Sequence, residues 1–145
     1  MKYFIYIVII LVAIAVIAGF FVVGSPQEER LRRFDERRVQ DLQQIQSQII
    51  NYWSNKSQLP QTLSQLKDDI SGFNVPKDSQ TGEDYQYEIK NSLTFALCAN
   101  FSLPSLEIET RKSVPTYDYY GYTSQNWQHK EGLVCFERKI DPQLY

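Results

Sequence analysis

Histidine and cysteine are scarce in this 145-residue chain, which holds one His and two Cys. A four-ligand zinc site built from those residues is out of reach. There is no Gly-rich phosphate loop, no dinucleotide fingerprint, no Gly-x-Ser-x-Gly elbow and no His-Glu-x-x-His pair, and His129 is the sole imidazole available as a base. No constellation names a reaction, so a non-enzymatic protein without a cofactor is expected. The formal net charge of −2 leaves no basic excess for phosphate backbones, and no nucleic acid partner is expected. Apolar residues are also few beyond residue 23: they make up about a third of the remainder, against ~45–50% in an ordinary globular domain with glycine counted. The length suits one thin-cored domain and excludes a multi-pass transporter or a large enzyme.

The first 23 residues are the opposite, with 21 of them hydrophobic. Tyr3 to Val23 is an apolar run of 21 residues broken only by Gly19, with no charge between Lys2 and Glu28. At about 1.5 Å per residue it would cover ~31 Å, the thickness of a hydrocarbon core. A transmembrane anchor over 1–24 is expected, with an extracytoplasmic domain over 25–145. The competing reading is a cleaved signal peptide ending near Val22-Val23-Gly24, but the run exceeds a signal core and its basic leader is Lys2 alone. Lys2 favours a cytoplasmic N-terminus. Arg30, Arg32, Arg33, Arg37 and Arg38, just past the run, favour the reverse. A domain of about 120 residues crosses largely regardless of its charge, and the two cysteines suit an oxidising compartment. The expectation is a single-pass plasma-membrane protein with its N-terminus inside.

Ser25-Pro26-Gln27-Glu28 has the chemistry of a helix start: a cap, a first-turn proline and a Glu three residues on. Leu31, Phe34, Leu42, Ile45, Ile49 and Trp53 then recur at helical spacing, with Arg38 in the gap. A long amphipathic stalk helix is expected over about 26–54. Each arginine of the run has an acid within reach, so a solvated, self-paired face is expected rather than one that binds lipid or nucleic acid. Leu59-Pro60 stops the helix, Thr62 can cap a short turn at Leu63–Leu66, and residues 70–76 form an irregular crossing that drops apolar anchors toward the stalk.

Residues 84–89 alternate as a strand, 93–99 form a mostly apolar and central one, and 132–140 a third. The short turn at Asn91-Ser92 makes the first two antiparallel, and the third could join either. The fold class expected is α+β, with the stalk packed on a small antiparallel sheet. Cys98 and Cys135 fall in strands. They are either two buried thiols or a disulfide, and the thin core and outside location favour the disulfide. It would close a loop of 38 residues.

That loop holds Tyr117, Tyr119, Tyr120, Tyr122 and Trp127. Clustered Tyr and Trp make a candidate partner-binding surface for an envelope protein or a surface polymer, and the alternative is that they pack on the sheet. Tyr119 and Tyr120 are consecutive, so in an extended chain they cannot both face the core. Asp78, Glu83 and Asp84 are oxygen donors about a glycine turn, but their spacing is not that of an EF-hand. A structural turn is expected instead, with Asp78 capping amides and Gly82 at positive φ, and no metal.

Arg38-Val39-Gln40-Asp41-Leu42-Gln43-Gln44-Ile45, Tyr52, Leu59-Pro60, Leu63 and Leu66, with the segment from Pro76 to Tyr87, resemble the stalk and first loop of type II secretion pseudopilins. The resemblance covers about residues 30–100 and implies a pilin-like fold. A cysteine-bounded C-terminal loop is likewise a feature of type IV pilins. The tail from Trp127 to Pro142 is similar to uncharacterised single- or multi-pass membrane proteins of candidate-phyla bacteria. The pilin leader is not matched: no glycine precedes the apolar run and no glutamate lies in it. A membrane-anchored, non-enzymatic cell-envelope interaction module is therefore expected. The alternative is a pseudopilin subunit of a secretion or pilus machine, with homo-oligomers formed through the helix.

Overall fold

The computed structural model describes residues 2–23, 25–105 and 126–144. Two compact units divide the chain, Met1–Arg33 and Phe34–Tyr145.

In the first unit, α1 spans Lys2–Val23. Every side chain described in it is exposed, Tyr3 and Ile14 among them. Those side chains run unbroken only from Tyr3 to Val16. Among the described residues no helix is long and apolar enough to cross a membrane, so the expected transmembrane helix is not supported there. Helix α2, Pro26–Lys56, begins in this unit, where Arg32 and Arg33 pair with Glu28 at 3.3 Å and Glu29 at 3.2 Å.

In the second unit the fold is α+β. Leu42, Ile45 and Ile49 recur at steps of three and four, so they share one face of α2, and all three are fully buried. That face meets a three-stranded antiparallel sheet in the order β1-β2-β3, formed by Gln86–Asn91, Thr94–Phe101 and Gly132–Lys139. The third strand joins the second, which leaves β2 central. Alternate β2 residues Phe95, Leu97, Ala99 and Phe101 complete the core with Phe136 and Ile140. The remaining β2 side chains are small, and Asn100 alone in the strand is exposed.

Helix α2 ends where Ser57 turns to φ +54° and its N–H reaches the Trp53 carbonyl at 2.6 Å. Thr62 sits at the start of the short 3₁₀-helix Leu63–Leu66 in extended conformation, but its side chain makes no capping bond. Gln65 Oε1 instead accepts the Gln61 N–H at 2.8 Å, which ties the approach to the turn rather than its first helical amides. The crossing segment is only partly anchored. Phe73 is buried, but Ile70 is fully exposed. The reason is local: Asp68 N–H donates to the Phe73 carbonyl at 3.1 Å, Asp68 Oδ1 accepts the Ile70 N–H at 2.9 Å, and Gly72 adopts φ +72°, so the turn is closed with its tip outward.

Candidate functional site

Cys98 and Cys135 are directly opposite in the register of β2 and β3 and form a disulfide, with Cα atoms 4.0 Å apart. The bond closes the loop expected from the sequence, and no cysteine is left free. Tyr117, Tyr119, Tyr120 and Tyr122 lie outside the described residues. The structure does describe the two ends of that segment.

One end leaves β2 and is held by α2. Asp35 Oδ1 accepts the Ser102 N–H at 2.9 Å and Oδ2 the Leu103 N–H at 2.8 Å. The other end is tied to the first. Ser105 N–H donates to the His129 carbonyl at 3.0 Å, and His129 N–H donates to Ser105 Oγ at 3.1 Å. The His129 ring stacks on Phe101 with centroids 3.7 Å apart and planes 16° apart, and its Nδ1 is buried without a partner. Burial holds this imidazole below its ordinary pKa. It is a packing ring that fastens the loop base, a role that needs no neighbouring nucleophile.

Trp127 is half-buried against the core, 4.8 Å from the Phe136 ring. The Arg138 guanidinium lies over it at 4.2 Å from the ring centroid. Trp127 thus packs on the sheet while retaining partial exposure.

Beneath the loop base lies a buried ionic cluster. Arg38, Asp35 and Asp78 are only 2%, 3% and 8% exposed. Arg38 Nε and Nη2 reach Asp78 at 2.5 and 3.3 Å, Nη1 reaches Asp35 Oδ1 at 2.6 Å and Ser102 Oγ at 3.1 Å, and Nη2 reaches Gln80 Oε1 at 2.7 Å. These bonds occupy all five guanidinium donors. The expectation of a wholly solvated, self-paired arginine face is corrected here. Arg38 has a near acid in Asp35, but it also faces inward and bridges to a carboxylate forty residues away. Burial raises the Asp78 pKa, but the Arg38 guanidinium and the Thr81 and Gln80 amides outweigh it and hold the carboxyl below its ordinary range.

Asp78 also organises its own turn. Its Oδ1 accepts the Gln80 and Thr81 N–H groups at 2.8 and 3.0 Å, and its carbonyl accepts the Gly82 N–H at 2.8 Å. Gly82 sits at φ +75°, which a side chain with a Cβ disfavours. Asp84 is paired with Lys77 at 3.0 Å rather than converging with Asp78. Among the described residues no group of three or more His, Cys, Asp or Glu is placed to hold a metal ion. A shallow cleft beside this turn is lined by Asp78, Glu83, Asn100, Leu133 and the disulfide's Cys98.

Sequence reasoning missed the Arg38 cluster and the Arg138–Trp127 stack, although both carried a signal. Arg38 is four residues from both Phe34 and Leu42 on the apolar face, and Arg138 falls between Phe136 and Ile140 at strand period two. Comparison of the chain with protein-family models, with curated proteins and with solved structures finds no match.

Proposed function

We propose that this chain is a membrane-anchored, non-enzymatic interaction module of the cell envelope, with a pseudopilin-like fold and its C-terminal domain outside the plasma membrane. The observation that carries the reading is the loop base. A disulfide, the Ser105–His129 bracket and the Asp35 clamp fasten both ends of a segment that contains four tyrosines. Such fastening lowers the ordering cost of a binding segment. The anchor rests on the sequence of Tyr3–Val23 and on the exposed apolar side chains of α1, which nothing in the chain covers where they are described. The partner on this reading is another envelope protein or a surface polymer.

A second reading, a pseudopilin subunit, is favoured by the resemblance at residues 38–45 and 76–87. Those two segments meet through Arg38 and Asp78. In that case the helix would mediate homo-oligomers.

The test uses Tyr119→Ala and Tyr120→Ala separately in the full chain, captured from solubilised membranes. At least one is expected to leave thermal melting unchanged and reduce recovery of the co-captured partner several-fold. Unfolding by both, or undiminished recovery with both, would refute the binding-loop reading.

A further inference from the structure

Arg138 differs from the other described cations. Arg32, Arg33, Arg38, Lys67, Lys77 and Lys90 each have a carboxylate within ion-pair distance. Of the described Lys and Arg side chains with no such carboxylate among the described residues, Arg138 alone is half-buried and the rest are exposed. Its contacts are to neutral acceptors: Nε to Gln46 Oε1, Nη1 to the Glu137 carbonyl and Nη2 to the Asn126 carbonyl, each at 3.0 Å. The Trp127 face supports the plane at 4.2 Å, with Phe136 at 5.4 Å. Of five N–H donors, three are used among the described residues, which leaves one on Nη1 and one on Nη2. Desolvating a cation without an anion is costly, and burial lowers the Arg138 pKa accordingly.

We infer that the Arg138–Trp127 stack is a binding site for a single carboxylate presented by a partner polypeptide. Both terminal nitrogens of a planar fork retain a donor, and a carboxylate supplies two acceptor oxygens for them. The aromatic face and Gln46 hold that fork in place before the ligand arrives. A dense polyanion fits poorly. The chain is net negative, and the charged sequence neighbours of Arg138, Glu137 on one side and Lys139 on the other, cancel, so no basic patch surrounds the site. An isolated Asp, Glu or C-terminal carboxylate needs no such patch. The inference extends the proposed function and does not depend on the tyrosine segment.

The test is a nuclear magnetic resonance titration of the full chain, ¹⁵N-labelled, in uncharged micelles. The probe is a blocked pentapeptide with one central glutamate, and the control is the same peptide with glutamine. The Arg138 Nε–Hε resonance is expected to shift saturably with the first and not with the second. Arg138→Lys keeps the charge but loses the fork, and should weaken binding by about tenfold, the equivalent of one charge-assisted hydrogen bond. Arg138→Gln should abolish it, and the Lys variant decides the question if the Gln variant does not fold. Equal shifts with both peptides, no shift with either, unchanged affinity in Arg138→Lys, or tighter binding of oligogalacturonate than of the glutamate peptide would each overturn the inference.

Discussion

Replacing Arg38 with methionine is expected to destabilise the second unit by about 3–5 kcal/mol, the cost of breaking a buried ion pair from one side. The side chain is 2% exposed and spends every donor. Methionine fills much of its volume but leaves Asp35 and Asp78 buried without a cation. The size of the loss should depend on pH. In the native protein the Asp78 pKa is lowered. Its contribution is therefore present above the unfolded-state pKa and lost as pH falls through the folded one. Without Arg38 the Asp78 pKa rises from its native value, because desolvation is then opposed only by the Thr81 and Gln80 amides. The variant therefore loses less stability than the native protein on acidification, so the gap between them should narrow as pH falls from 7 through the ordinary Asp pKa of about 3.9 and below it. Denaturant unfolding at several pH values measures this. A gap that is constant with pH, or below about 1 kcal/mol, would mean that the cluster is not buried as described.

The second large effect is expected from the disulfide. A Cys98→Ala, Cys135→Ala double variant should lose about 4 kcal/mol, because the bond removes the closure entropy of a 38-residue loop from the unfolded chain. The sheet itself should persist. The β2–β3 register runs over eight residue pairs from Thr94↔Lys139 to Phe101↔Gly132, and one side-chain bond is not needed to set it. Unfolding by denaturant with and without reductant should show the native protein falling to the level of the variant and the variant unmoved. Equal midpoints for native and variant proteins under oxidising conditions would show that the bond constrains little.

The architecture was legible because its signals are periodic. Leu42, Ile45 and Ile49 mark a helix face, and the Tyr85–Ile89 alternation with the Asn91-Ser92 turn marks a hairpin. Boundaries moved by about two residues where pairing, not propensity, decides. Asp84 is not in β1, because it bridges alone to Lys77, and β2 continues to Phe101 because Gly132 pairs opposite. The apolar spacing also left room for error at charged positions. A pattern that counts only apolar residues passes over Arg38 as a gap, although its spacing places it on the buried face. Its burial depends on Asp78 and Ser102, forty and sixty-four residues away, and no local window contains them. Arg138 is similar: its strand period points inward, but its tolerance there depends on Trp127 and Gln46. Ile70 failed the other way, an apolar residue left outside because backbone bonds close the turn beneath it.

The claim that the fastened segment engages a partner is tested most directly by site-specific photocrosslinking in intact cells. p-Benzoylphenylalanine is placed at Tyr119 or Tyr120, with Lys90, an exposed residue at the opposite end of the sheet, as the control. Illumination is expected to give discrete adducts with a second polypeptide or an envelope polymer from at least one tyrosine position, and none from Lys90. Crosslinks from both tyrosine positions that stay within the chain itself would contradict the account.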